Sequence, residues 1–270
     1  MTFWEGVGLG VLQGLTEFLP VSSSGHLVLA KGFLGVREQG IALEVTVHFG
    51  TLLAILTVFY ARVGEVLRAF LGGLLPGPGG RAFRRERRWF WAWGILLGSV
   101  PAAVFGLAFK DTVEGAFSSP LLTCFALLVT GSFLWSTRWT KPWGKAVGIW
   151  DAVWVGLAQA LAILPGVSRS GATISAGLWR GLDREEAAEF SFLLALPAIS
   201  GATLVEAKAL WTSPPSSQEA LALIGGLMAA YLSGYGALKL LLQVVRGGRL
   251  DRFAYYCWVL GGMGLAVLWI

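Results

Sequence analysis

Charge is the first scarcity in this sequence. Only 14% of its 270 residues are Asp, Glu, Lys or Arg, against about 25% in an ordinary soluble domain, which leaves too little polar surface to hold such a chain in water. Cysteine is nearly absent. Cys124 and Cys257 each sit inside an apolar run, without metal-ligand spacing and without a disulfide framework around them. The opening residues MTFWEGVGLG contain an acid and no base, so no cleavable signal with a basic leader is predicted. No long polar loop is present, which removes the reading of a scaffold for soluble partners.

Apolar residues fill the space that charge leaves. They make up 55% of the chain, the mean hydropathy is +0.67, and 13 Trp with 16 Phe suit a protein at and between lipid interfaces. The net charge of +5 could suggest nucleic acid. However, the Lys and Arg fall between apolar runs and read as topology signals, so the predicted partner is the membrane and no nucleic acid. The predicted fold class is an all-α polytopic membrane protein.

A spanning helix needs roughly 20 apolar residues. Six stretches qualify: about 43–62, 89–109, 118–137, 187–206, 219–240 and 253–270. Two further apolar regions, 4–34 and 149–179, are interrupted. Pro20 with Ser22, Ser23, Ser24, Gly25 and His26 breaks the first, and Pro165, Gly166, Ser168, Arg169, Ser170 and Gly171 break the second. Each half is roughly 18–24 Å of helix at the α-helical rise, too short for a hydrocarbon core of about 30 Å. Two re-entrant helical hairpins are therefore predicted, their non-helical backbone lying where protein buries it or water reaches it.

The two broken regions resemble each other. Trp4, Gly10, Gln13, Leu15, Ser22, Ser24, Gly25, Ala30 and Gly35 stand 146 residues before Trp150, Gly156, Gln159, Leu161, Ser168, Ser170, Gly171, Ala176 and Gly181, and only the prolines slip by one position. An internal duplication follows. Residues 1–137 form a first repeat, with hairpin 4–34 and three spans. Residues 148–270 form a second, with hairpin 149–179 and three spans, all within a single membrane domain 1–270. Three spans per repeat turn the second upside down. Sixteen of the 21 Lys and Arg then fall on one side and four (Lys31, Arg37, Lys110, Lys208) on the other, with Arg169 alone at the second break. This positive-inside bias makes the heavy side cytoplasmic. The first hairpin opens outward, the second inward, and their tips meet near the midplane. The segment 62–75, before a PGPGG turn at 76–80, is expected to lie along the inner surface as an amphipathic connector.

The breaks carry the chemistry. Gln13 and Glu17 are four apart and share a helix face, and Glu17 is an ionisable group at membrane depth. Ser22 or Ser23 can start the next half-helix, and a serine there is an ordinary cap. Three serines before Gly25-His26 exceed what a cap requires, and Ser23 and His26 at i, i+3 can share a face. Freed N–H groups at such a helix start form an anion cradle. Ser168, Ser170 and Thr173 offer hydroxyls around Arg169 at the second break. An arginine in mid-membrane must pair or bind an anion. It could neutralise Glu17, but its forked donors match phosphate oxygens. His48, one turn after Glu44, reads as a satisfied core histidine or a residue at the edge of the site. Glu5 and Asp151 occupy matching repeat positions and read as interface charges.

At these residues the chain resembles the undecaprenyl-pyrophosphate phosphatases of bacteria, the BacA/UppP type. The first signature of that family, an acid or Gln, three residues, Glu, then Pro-x-Ser-Ser-x-Gly-His, stands here as QGLTEFLPVSSSGHL. The second stands as PGVSRSGAT, and EFSFLLALPA at 189–198 and GSVPAAVFG at 98–106 look familial too. The resemblance covers nearly the whole chain. It implies hydrolysis of undecaprenyl pyrophosphate in the bilayer to the monophosphate and inorganic phosphate, carrier recycling for cell-wall synthesis, bacitracin resistance, a bacterial inner-membrane location with the site opening to the outer side, and a divalent cation, magnesium or calcium. A homodimer is compatible with it.

On that basis Arg169, with Ser22, Ser24, Gly25, Ser168, Ser170 and Thr173, is expected to bind phosphate, and Glu17 with Gln13 to face the metal. Ser23 is the candidate nucleophile, with His26 or Glu17 taking its proton. The alternative has His26 attack phosphorus itself. The family's first glutamate is Gln13 here, which can ligate but adds no charge. Inverted repeats with discontinuous helices also mark secondary transporters, a reading that explains the architecture but not the paired motifs.

Overall fold

The computed structural model describes residues 1–34, 41–141, 143–212 and 216–269, and among these it is helical with no strand. Both interrupted regions form the predicted helix–break–helix. In the first, α1 (Phe3–Phe18) and α2 (Ser23–Leu34) flank the break, and α3 (Ile41–Val58), α4 (Tyr60–Leu74), α5 (Gly77–Arg85), α6 (Arg87–Ala108), α7 (Lys110–Phe117) and α8 (Pro120–Ser136) follow. In the second, α9 (Ile149–Leu161) and α10 (Arg169–Trp179) precede α11 (Arg184–Thr212), α12 (Ser217–Arg246) and α13 (Phe253–Trp269).

Local chemistry sets the ends. Thr2 caps α1 in a reciprocal box with Glu5, and at the matching repeat position Asp151 accepts the Gly148 N–H at the start of α9. Asp151, expected as an interface charge, is not open to the surroundings. It is buried, and both Lys145 and Arg180 pair with it, at 2.7 and 2.9 Å. Ser119 and Ser216 cap α8 and α12.

Among the described residues, four helical segments are long and apolar enough to cross a membrane: Arg87–Ala108, Pro120–Trp139, Arg184–Leu204 and Glu219–Arg246. The stretch 43–62 departs from a straight span, because the chain bends by 80° between α3 and α4. Its apolar run is interrupted by the pair Arg62 and Glu65, which α4 turns toward Arg88 and Glu189. The PGPGG segment is a turn only at Pro76, since Gly77, with φ +84°, already opens α5. The last stretch is the 17-residue α13, about 25 Å long.

The first half-helix of each hairpin runs beside a long helix of the other half of the chain. A Cβ on Gly10 would lie 2.2 Å from the Gly226 carbonyl oxygen, and one on Gly156 would lie 2.3 Å from that of Gly98. Gly10 and Gly156 stand 146 residues apart at corresponding positions of the two broken regions, and a close backbone approach is made at each, α1 on α12 and α9 on α6. Between the two half-helices lies an aromatic core, in which Phe18 meets Phe192 edge-on at 5.9 Å and Trp91 meets Phe190 at 5.5 Å.

Candidate active site

The two breaks touch. Ser22 adopts φ +66°, the left-handed conformation that a non-glycine residue rarely takes. There its hydroxyl oxygen accepts the N–H of Gly25 and, across 144 residues of sequence, the N–H of Gly166, both at 3.2 Å. Gly166, at φ +94°, has no room for a side chain, because a Cβ would stand 2.4 Å from the Thr123 carbonyl oxygen. Its own carbonyl accepts the Thr130 hydroxyl at 2.8 Å, and Thr130 Oγ1 accepts the Ser168 N–H at 3.0 Å. Ser168 then caps α10 by accepting the Gly171 N–H at 3.1 Å. Protein hydrogen bonds thus hold both irregular segments, the condition under which non-helical backbone is tolerated at membrane depth.

Glu17, one residue before the end of α1, joins the two motifs. Its Oε1 receives Arg169 Nη2 at 2.7 Å. Its Oε2 receives the Ser23 hydroxyl at 2.7 Å and the Gln13 amide at 2.9 Å. Glu17, Ser23 and Arg169 face a cavity of about 290 Å³ that Ser22, Ser24, His48 and Ser168 also line, with Phe117, Ile199 and Ala202 among its apolar walls; Gln13 stands behind Glu17, outside the lining. Serine hydroxyls, a guanidinium, a carboxylate and an imidazole in one cavity form a site suited to a phosphorylated ligand and to attack on it.

Other predicted residues lie elsewhere. His26 does not meet Ser23. Its Nδ1 folds back on the Ser22 carbonyl at 2.8 Å, and its Nε2 pairs with Tyr256 Oη at 2.7 Å beneath a stacked ring. The side chain lines a different cleft. Ser23 is the first residue of α2, so its hydroxyl points back to Glu17 rather than along the helix to His26. Thr173 is fully buried, donating to the Arg169 carbonyl at 2.7 Å and bonded to Ser191. Ser170, 3.3 Å from Ser168, and Gly25, packed against Gly166, support the breaks without lining the cavity.

The donor set for a metal is small. Among the described residues no cluster of three His, Cys, Asp or Glu side chains could hold one. Gln13 Oε1, however, is buried beside Glu17 without a hydrogen-bond partner, an orphaned hard donor that suits a cation bound by few protein oxygens.

Sequence reasoning missed Thr130, whose hydroxyl ties Gly166 to Ser168. Its signal was a lone threonine in the apolar run ALLVTG. It also left His48 undecided, although the ring lines the cavity and its Nδ1 lies 2.8 Å from the Glu44 carbonyl oxygen.

The chain matches the family model described as bacitracin resistance protein BacA over residues 6–263. A protein of Desulfosudis oleivorans named undecaprenyl-diphosphatase is 46% identical over 98% of this chain and 97% of its own length. Bearers of the same name from Halothermothrix orenii and Korarchaeum cryptofilum are 41% identical over 97% of each chain, and 44% identical over 99% of this chain and 100% of the other. The match runs through both breaks and the helices that carry them, and this chain belongs to the bacitracin resistance protein BacA family.

Proposed function

We propose that this protein is an undecaprenyl-diphosphatase, a membrane hydrolase that cleaves undecaprenyl pyrophosphate to undecaprenyl phosphate and inorganic phosphate. It thereby recycles the lipid carrier of cell-wall synthesis and confers bacitracin resistance. The relatives' shared name supports the reaction. The observation that carries it to particular residues is the Glu17 carboxylate, held at 2.7 Å from both the Ser23 hydroxyl of one motif and the Arg169 guanidinium of the other.

In this reading the pyrophosphate enters the cavity and takes over Arg169, whose forked donors match phosphate oxygens bidentately and which bonds Glu17 through Nη2. Ser23 Oγ attacks the terminal phosphorus while Glu17 Oε2 takes its proton. The bridging P–O bond breaks and undecaprenyl phosphate leaves. Water then attacks the phosphoserine, releasing inorganic phosphate and restoring the hydroxyl. Ser22, Ser24 and Ser168 present hydroxyls along the same wall. Gln13 and Glu17 would hold a divalent cation, magnesium or calcium, whose charge would offset that of the phosphates. His26 acts by positioning, since it braces the Ser22 carbonyl. The test is phosphate release from undecaprenyl pyrophosphate by the purified protein, with and without chelator. Absence of release in the presence of magnesium or calcium overturns the reading.

The architecture we propose is the inverted repeat, with six membrane-crossing elements and two re-entrant hairpins in the plasma membrane. Gly6 faces Ala222, Gly10 faces Gly226 and Gly14 faces Ala230, so α1 and α12 run in the same direction. The shorter α1 stops at Phe18, about level with Gly234, while α12 continues to Arg246. This agrees with a half-span that turns back. The basic side is knit together by Arg62–Glu189, Arg87–Glu186 and Arg246–Glu185 pairs, which supports its placement at one face, the cytoplasmic one. Phe117 and Ala202, which line the catalytic cavity, lie in sequence beside the basic-poor ends of their helices, which supports a cavity that opens outward.

A further inference from the structure

His26, left out of the catalytic cavity, opens onto a second and larger cleft of about 590 Å³. Thr16 of α1 lines both cavities, so the first half-helix and its break are the wall between them. One flank of the cleft is apolar, made by Leu12, Leu15, Leu19 and Phe253, with Leu15 open to the surroundings. The other end carries Arg249 and Arg252, both exposed, together with Tyr256 and His26. Among the described residues, neither arginine forms an ion pair, as Arg62, Arg87, Arg88, Arg180 and Arg246 do, and of the unpaired arginines these two are the ones that line this cleft. Their charge is uncommitted at the mouth of an apolar groove that reaches to the active-site break.

We propose that this cleft is a second lipid-phosphate site, which takes a long-chain prenyl monophosphate on the side of the membrane opposite the catalytic cavity. The apolar flank matches a hydrocarbon tail. A phosphate monoester carries about −1.5 to −2 charges near neutrality, which two unpaired arginines balance, while the diester head of an ordinary phospholipid carries only one at phosphorus. The cleft has about twice the volume of the catalytic cavity, more than a free phosphate needs. The identity of the tail rests on the function proposed above, since the reaction's product is such a monoester. The site itself requires no turnover to be filled.

Equilibrium binding of radiolabelled undecaprenyl monophosphate to the purified protein in detergent tests this. Three variants are compared: Arg169→Ala, which disables the catalytic cavity; Arg249→Ala/Arg252→Ala, which removes the cationic end; and Leu15→Trp, which fills the apolar flank without touching charge. Binding is expected to survive Arg169→Ala within about twofold and to fall about tenfold or more in each of the other two, the loss of charge-assisted contacts at the head or of tail contacts at the flank. Turnover of the pyrophosphate by the double arginine variant should stay within about twofold of the parent, which shows that its fold is intact.

Loss of binding in Arg169→Ala alone assigns the lipid to the catalytic cavity and overturns the proposal. Equal displacement of the label by phosphatidylglycerol, or by inorganic phosphate, overturns it in favour of a general anionic-lipid or a free-anion site. If both the arginine and the Leu15→Trp variants bind as the parent does, the cleft is empty of this ligand. Should the lipid bind as expected while undecaprenyl pyrophosphate is not hydrolysed, the catalytic reading fails and the cleft stands.

Discussion

Glu17 Oε1 and Arg169 Nη2 lie 2.7 Å apart although 152 residues separate them in sequence. Each is the charged residue of one break, and both are largely buried, at 9% and 16% side-chain exposure. A pair so enclosed costs desolvation that its attraction only partly offsets, so its retention fits a site in which an arriving anion exchanges for the carboxylate. The predictions for these two residues differ accordingly.

Arg169→Lys keeps the charge but not the fork. An ammonium cannot donate two parallel bonds to a phosphate, and losing a transition-state donor of this kind costs about 10²–10³-fold. Steady-state kcat on undecaprenyl pyrophosphate is expected to drop by that much, and near-parental turnover removes the forked role.

Glu17→Gln keeps shape and removes both the proposed base and the proposed anionic metal ligand. The expected loss in kcat is about 10²–10⁴-fold, the range for a missing general base. Gln13→Glu adds a second carboxylate beside the first and should be tolerated, with saturation at lower metal concentration. A metal titration of both variants checks this. Glu17→Gln with normal rate and normal chelator sensitivity would falsify the ligand assignment.

Ser23 and His26 are separated by a quench experiment with substrate labelled at the terminal phosphate. Acid-stable label on the protein, absent in Ser23→Ala, is the expected result. Acid-labile, base-stable label would point to His26 as nucleophile, and no label in a properly timed quench to direct attack by water. His26→Ala should lower activity without rescue by imidazole and without changing the shape of the pH profile. It loses a brace on Ser22 and not a proton carrier.

Gly166→Ala tests the contact between the breaks. The new Cβ meets the Thr123 carbonyl in a backbone conformation that favours glycine, at a cost of about 1–3 kcal/mol for the conformation alone. Thermal unfolding in detergent should shift down and activity should fall with it. Ser22→Ala removes one acceptor shared by two backbone N–H groups and should act in the same direction. An unchanged melting temperature in both variants would mean that the clasp between the breaks contributes nothing to stability.

Sidedness is checked by cysteines read from outside intact cells with an impermeant thiol reagent. Position 112 should label, and positions 83 and 248 should not. Labelling at 83 overturns the inverted arrangement.

The sequence by itself determined that the chain is helical and built for a membrane, because charge scarcity and apolar runs of about 20 residues permit little else. It also determined where the helices break, since proline and the serine clusters after it terminate and restart helices through local hydrogen bonds that need no distant partner. The correspondence between the two broken regions was legible for the same reason: Gln13 and Gln159, or Ser22 and Ser168, are identities that a constant offset makes visible. Only the tertiary structure decided which groups share a cavity. The rotation of α2 about its axis, fixed by Ser22 in its left-handed conformation and by the Gly166 N–H it accepts, sends Ser23 toward Glu17 and His26 toward Tyr256. An i, i+3 spacing says that two side chains can be neighbours. Which way each one reaches is set by partners more than a hundred residues away, and so are the bend after α3, the burial of Asp151 between two cations, and the part played by Thr130.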